Sequence, residues 1–196
     1  ILMKILITGG AGFIGSNLIR VLLKNDHDVV SLDDYSSGRK DNEIKGAKYI
    51  EKDITEIGSL DTDFDLCFHL AAQSIVSKSY LEPNQTVLSN TIGVLNLLEI
   101  LRNYKKKCSV VIITSDKVYK NIETEKGYKE NDILGGFDPY SASKACTEIL
   151  TKSHALSFNN LKLCTARAGN ILGGGDWAKD RIITDIVESI QKKKDI

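Results

Sequence analysis

Short, unbroken apolar runs alternate along the chain with longer stretches in which apolar residues recur every three or four positions. The runs at 4–8, 28–32, 48–51, 65–70, 110–114 and 161–166 are short and lack a polar alternate, so they predict strands buried on both faces. Between the first two, Ile14, Leu18, Ile19, Leu22 and Leu23 share one helical face. The spacing predicts a longer helix over 86–104, with Val87, Val94, Leu97, Leu98 and Leu101 inward. Further helices follow over 140–157 and 182–192. Strand–helix alternation of this kind belongs to the α/β class, as a doubly wound and mostly parallel sheet. Only two prolines, Pro83 and Pro139, interrupt the pattern. With no repeat or low-complexity linker, one domain over 1–196 accounts for the whole length.

Composition narrows the partners. Acidic and basic residues balance at 26 each, which argues against a nucleic-acid binder or a basic membrane-surface protein. No apolar run approaches the ~20 residues of a membrane span. The four cysteines, Cys67, Cys108, Cys146 and Cys164, form no Cys-x-x-Cys pair and have no nearby histidine pattern. No metal site is expected, and reduced, buried thiols in a cytoplasmic protein are the expectation. Met3 reads as the natural start, with Ile1 and Leu2 extraneous.

The first strand runs into Thr8-Gly9-Gly10-Ala11-Gly12-Phe13-Ile14-Gly15 and then an amphipathic helix. Glycines in this place allow a tight turn, a close backbone approach to a pyrophosphate and close helix–sheet packing. The helix N-terminus aims unpaired N–H groups at the phosphates. Strand, glycines and helix together make the signal of a Rossmann-type dinucleotide site, where the glycine spacing alone would be weak. Gly9, Gly12, Phe13, Ile14 and Gly15 are the expected cradle. The second strand ends in Asp33-Asp34, close to the ~20-residue offset of a ribose-binding acid. A carboxylate there favours NAD over NADP, unless Arg39 folds back onto it; a surface turn is the alternative reading. Asp53 and Ile54, after the third strand, are placed to meet the adenine. Leu70, Ala71 and Ala72, ending the fourth, would let the cofactor approach.

Tyr140 and Lys144 stand one helical turn apart just after Pro139. Seven tyrosines in a lysine-rich chain make such a spacing common by chance, so its placement carries the argument. A lysine ammonium beside a phenol favours phenolate, and a phenolate can take a hydroxyl proton while hydride leaves the same carbon. Ser115, at the end of the fifth strand, can bind the same oxygen.

Together, Thr8 to Gly15, Asp33, Ser115, Tyr140 and Lys144 resemble the extended short-chain dehydrogenase/reductases, the family of nucleotide-sugar epimerases and dehydratases. From about Phe68 onward the resemblance is to CDP-glucose 4,6-dehydratases. It is carried by Ile113-Thr114-Ser115-Asp116-Lys117-Val118-Tyr119-Lys120-Asn121, by Leu134-Gly135-Gly136-Phe137-Asp138-Pro139-Tyr140-Ser141-Ala142-Ser143-Lys144, and by Gly173-Gly174-Gly175-Asp176-Trp177. The glycine loop and Asp33-Asp34-Tyr35-Ser36-Ser37-Gly38 look more like UDP-glucose 4-epimerases or dTDP-glucose dehydratases. The resemblance implies NAD as cofactor, a nucleotide-sugar substrate, and a homodimer through a four-helix contact of 86–104 and 140–157. It also implies a C-terminal substrate lobe, most of which is expected to lie outside these 196 residues.

Asp116 and Lys117 separate the reactions within that family. An epimerase oxidises and re-reduces one carbon. A 4,6-dehydratase must also remove the C5 proton and protonate the departing C6 hydroxyl. By the family's pattern Asp116 would be the C6 acid and Lys117 the C5 base, neutral through burial or through the charge of Lys144; a solvated loop ion pair is the alternative. Gln73 and Asn170 are candidate sugar or diphosphate contacts. Arg181 is a candidate phosphate partner, with a structural role equally open. His69 reads as a core histidine, His27 and His154 as surface residues, and Trp177 as a lid or as loop packing. An NDP-sugar 4-epimerase and a non-catalytic NAD-binding module are the rival functions.

Overall fold

The computed structural model describes residues 1–60, 62–178 and 180–193. Six strands form one sheet: β1 (Lys4–Thr8), β2 (Asp28–Asp33), β3 (Lys48–Glu51), β4 (Leu66–His69), β5 (Cys108–Ile113) and β6 (Leu161–Ala166). Their order is β3-β2-β1-β4-β5-β6, with every pairing parallel. The order reverses between β1 and β4, which opens a crevice beyond the carboxyl ends of the strands, where ligands of this fold bind.

Successive residues of β1 point to opposite faces and feed two cores. Leu6 joins Val30, Leu32, Val110 and Ile112 under Leu97, Leu98 and Leu101. Ile5 and Ile7 join Val29 and Ile19 on the other side. Burial on both faces explains why the strands read as unbroken apolar runs.

Helix α1 spans Phe13–Lys24 and α6 spans Ile182–Lys192; of the chain's final residues, 194–196 lie outside the described ones. Strand ends differ from the sequence reading by a residue or two: β2 runs on to Asp33, β4 is trimmed at both ends, and β5 begins at Cys108. The single helix expected over 86–104 is instead three segments. Pro83 opens α3 (Pro83–Val87), a π-helical turn covers Leu88–Ile92, and α4 runs Gly93–Arg102. A separate α2 (Val76–Leu81) precedes them, without an apolar period that would announce it. The widened turn changes the facing of what precedes it, so Val87 is exposed rather than inward. Asn90 and Thr91 are buried instead, and the Asn90 carbonyl accepts the Thr147 hydroxyl at 2.7 Å.

Helix α5 (Pro139–Ser157) starts with Pro139 in its first turn and Asp138 capping the Ser141 N–H at 2.9 Å. Its inner face is polar: Ser143, Lys144, Thr147, Glu148 and Thr151 are all buried. Two expectations fail on this helix and its neighbour. Cys146 and Cys164 are exposed, because α5 turns Cys146 to solvent and β6 is an edge strand; Cys67 and Cys108 are buried. His154 is buried, 5.3 Å from the Phe158 ring and 3.5 Å from the Glu99 carboxylate. Among the described residues, no helix is long and apolar enough to cross a membrane.

Candidate active site

The glycine turn between β1 and α1 is shaped by close approaches that only glycine allows. Gly9 has φ +75°, and a Cβ on it would sit 2.7 Å from the Ala71 nitrogen. A Cβ on Gly15 would sit 2.2 Å from the Gly9 oxygen. The turn is therefore pressed against both α1 and the end of β4, leaving the α1 N-terminus open to an anion. Phe13 and Ile14 are half-buried in its first turn, and Phe13 carries the loop at Gly173, where a Cβ would lie 2.8 Å from its ring.

Asp33 is 6% exposed, and its two oxygens accept the N–H groups of Ala11 at 2.8 Å and Tyr35 at 2.9 Å. Burial pushes its carboxyl above the ordinary range, against the pull of those two bonds. Asp33 thus pins the glycine turn as well as offering remaining lone pairs to a ribose; it is not a surface turn acid. Arg39 is turned away, 3.4 Å from Asp41. Asp34 is exposed and caps Ser36. Asp53 caps Thr55, and Ile54 contributes its side chain to the core, 5% exposed, so that its backbone is what remains for an adenine.

The floor of the crevice is tied by Thr8. Its hydroxyl pairs with His69 Nδ1 at 2.7 Å and accepts the N–H groups of Leu70 and Ala71 at 3.2 Å. His69 is a core residue as expected, held neutral by burial and by the Lys144 charge, its basicity lowered to about 3. Ala72 continues the half-buried loop. Gln73, expected to reach the sugar, has its side-chain amide engaged within the protein. Its amide is spent on the Ile75 carbonyl, the Thr86 hydroxyl and the Ile75 N–H, because the loop after β4 needs a polar strut.

Ser115 follows β5 and caps the turn at Asp116–Val118: its hydroxyl accepts the Lys117 N–H at 3.2 Å and donates to Asp116 Oδ1 at 3.0 Å. Asp116 and Lys117 are both exposed and lie more than 4.0 Å apart as an ion pair, so neither the loop ion pair nor the burial expected to neutralise Lys117 is present. A turn at the end of a strand faces the crevice, not the core. Tyr140 is 8% exposed on the first turn of α5. Burial raises its phenol above the ordinary range, while the nearby Ser115 hydroxyl and the Arg181 charge pull it down; Asp116 and Asp138 push it up. The expected lowering by Lys144 is absent. Lys144 is 5% exposed, gives its Nζ to the Ile113 carbonyl at 3.1 Å, and is itself brought down to about 8 by burial.

Arg181 stands half-buried ahead of α6, beside Asp180, which accepts the Ser77 hydroxyl. Asn170 and Trp177 are exposed in the segment after β6, Trp177 at 55%. Among the described residues no three His, Cys, Asp or Glu side chains are grouped for a metal.

Sequence reasoning missed the network beneath these groups. Glu148, one turn beyond Lys144, accepts the Thr114 hydroxyl at 2.5 Å, the Thr165 hydroxyl at 2.8 Å, and Arg167 through Nε and Nη2, both at 3.0 Å. Its one signal is the continuation of the Tyr140 and Lys144 spacing by a further four residues.

Residues 5–196 match the model of the NAD dependent epimerase/dehydratase family. Over 140 residues, 67% of this chain, the sequence is 43% identical to the CDP-glucose 4,6-dehydratase of Salmonella typhimurium, of which 39% is covered. The fold is that of the Thermotoga maritima UDP-glucose 4-epimerase solved with UDP-glucose, with a TM-score of 0.88, 27% identity, and coverage of 99% of this chain and 65% of that one. The Thermus thermophilus UDP-glucose 4-epimerase, solved with NAD, gives a TM-score of 0.87 at 28% identity over 99% of this chain and 64% of that one. The chain thus spans less than two thirds of the length of each of these relatives.

Proposed function

The chain belongs to the NAD dependent epimerase/dehydratase family and its cofactor is NAD; from that premise we propose a nucleotide-sugar 4,6-dehydratase that turns an NDP-glucose, CDP-glucose foremost, into its 4-keto-6-deoxy derivative. The observation that carries this reading is the acid at the end of β5: Asp116, exposed to the crevice and bound by the Ser115 hydroxyl. An epimerase has no use for a second acid there. The 43% identity to a CDP-glucose 4,6-dehydratase supports the choice of nucleotide.

The residues present fit NAD: the cradle that a Cβ would fill at Gly9 and Gly15, and the buried carboxylate of Asp33 beside it. Bound there, NAD supplies a hydride acceptor for C4, a hydride donor for C6, and a positive charge that favours phenolate. Tyr140, aided by Ser115, takes the C4 hydroxyl proton. The resulting ketone acidifies the C5 proton, which Lys117 removes while Asp116 protonates the departing C6 hydroxyl; the Lys117 ammonium then returns a proton to C5 as C6 is reduced. Lys117 is exposed in the free protein, so the sugar seated on the Asp116 turn must supply the exclusion of water that makes its amine a base. Asn170 and Arg181 are the proposed contacts to the sugar diphosphate. Two copies would pair through the α3–α4 and α5 faces, and the exposed free thiols of Cys146 and Cys164 suit a reducing, cytoplasmic setting.

A 4-epimerase is the second reading, favoured by the likeness to the two solved epimerases, and it needs only Ser115 and Tyr140. A non-catalytic NAD-binding module would have no need of the buried Ser115, Tyr140 and Lys144 set. Mass spectrometry after incubation with CDP-, dTDP- and UDP-glucose decides: the dehydratase gives a product lighter by one water, largest with CDP-glucose. A product of unchanged mass from all three overturns the proposal.

A further inference from the structure

We propose that Glu148 and Arg167 are positioning residues that hold the strip 114–117 against Tyr140. The proposal rests on the reading of Ser115 and Tyr140 as the oxidation pair and assigns a role to groups that touch neither substrate nor cofactor.

Tyr140, Lys144 and Glu148 follow one another at four-residue steps along one face of α5, all buried. The Glu148 carboxylate takes one bond from Thr114, the neighbour of Ser115, one from Thr165 in β6, and two from Arg167. The backbone repeats the clamp on either side of Ser115. The Thr114 N–H goes to the Ala166 carbonyl at 2.9 Å and the Asp116 N–H to the Ala168 carbonyl at 3.0 Å, the two residues that flank Arg167. Arg167 reaches further, giving Nη1 to the Glu130 carbonyl at 3.0 Å and lying 4.9 Å over the Tyr119 ring, which stacks on Tyr128 at 4.8 Å. The helix bearing Tyr140, the strand end bearing Ser115 and Asp116, and the segment after that turn therefore meet on one ion pair.

A buried ion pair is a weak device for stability, since an apolar pair of similar volume often serves as well or better. What the bidentate fork adds is direction. Burial opposes the Glu148 charge, yet the bonds from Arg167, Thr114 and Thr165 outweigh it and hold the carboxyl below its ordinary range. The pair stays ionised and its geometry fixed. Glu148 serves Ser115 through Thr114, and Ser115 in turn acts on the Tyr140 phenol.

The test replaces both charges at once, Glu148→Met/Arg167→Met, so that no unpaired charge is left buried, and separately removes one bond with Thr114→Val. Tyr140 is followed by its ring-carbon NMR titration, assigned with Tyr140→Phe. The groups facing it are Ser115 and Asp116 from the β5 end, Asp138 ahead of its helix, Arg181 ahead of α6, and Lys144 one turn on. Alongside run thermal melting, NAD affinity, and the initial rate of reduction of bound NAD by CDP-glucose. A positioning role predicts a double variant that melts near the unaltered protein and binds NAD as well. Its Tyr140 titration moves up and its reduction rate falls on the order of 100-fold, the scale of a misplaced catalytic group. Thr114→Val shows the same signs at smaller size, and it decides the matter if the double variant fails to fold. An unmoved Tyr140 titration in a folded variant overturns the proposal. Failure of the unaltered protein to reduce bound NAD overturns the functional reading instead, and the phenol titration still decides the positioning role.

Discussion

Lys144 carries a cost that the pH dependence of stability should reveal. Its ammonium is buried and brought down to about 8 from the ordinary 10.5. Between those two values the unfolded chain binds the extra proton, so stability rises with pH through that window. Below it the folded state bears a penalty of about 3 kcal/mol at most, part of it returned by the bond to the Ile113 carbonyl. Lys144→Met should therefore melt higher than the unaltered protein at pH 7, by on the order of 1–2 kcal/mol after that bond is lost. The gap should close as pH rises past 8 towards 10.5 in paired melting curves, while NAD affinity falls. Asp33 has a matching consequence. Asp33→Ala should weaken NAD binding and narrow the preference over NADP by about 1–3 kcal/mol, the scale of a lost charge-assisted bond, read by calorimetric titration with both cofactors. Individual residues at strand ends, Asp33, Ser115 and Asp116, were legible because position in the chain dictates position in the crevice. The interior partners were not: nothing in the sequence tells Gln73 to tie its own loop, or Glu148 to find Thr114 and Arg167, since those contacts cross between elements.

At the scale of elements, the sheet is written plainly in the chain because burial on both faces demands unbroken apolar runs. Helix α5 is the counterexample. Its buried face includes Ser143, Lys144, Thr147, Glu148 and Thr151, so hydrophobic periodicity says little about it, and Pro139 marks its start; the Asp138 cap emerges only in the fold. The π turn at Leu88–Ile92 is hidden for the same reason, being a response to the polar face opposite, where Thr147 and Ser143 meet Asn90 and Thr91. The glycine turn makes the sharpest element-level forecast. Gly15→Ala places a Cβ where the Gly9 oxygen stands, pushing α1 off the turn. Loss of about 1–3 kcal/mol in denaturant unfolding is expected from the overpacking, with NAD affinity lost more steeply than stability, because the N–H groups displaced are the proposed phosphate donors.

For the whole molecule, two cores on opposite faces of one sheet hold a crevice whose two walls divide the work. The β1–α1 side is the proposed seat of the dinucleotide, and the β5–α5–β6 side holds Ser115, Asp116, Lys117 and Tyr140. The exposed apolar side chains of Val87, Ile92, Ile149 and Leu156 on α3, α4's approach and α5 lead to an expected homodimer by sedimentation equilibrium, reduced to monomer by Ile149→Glu with Leu156→Glu. Loss of water can be followed most directly by incubating the NAD-loaded protein with CDP-glucose in deuterium oxide and examining the product by mass spectrometry and NMR. A 4-keto-6-deoxy product with solvent deuterium at C5 and no net consumption of NAD is expected, and a Lys117→Met variant should still reduce bound NAD but leave C5 unlabelled. A 4-epimer of unchanged carbon skeleton and mass, free of solvent deuterium at C5, would contradict the dehydratase reading.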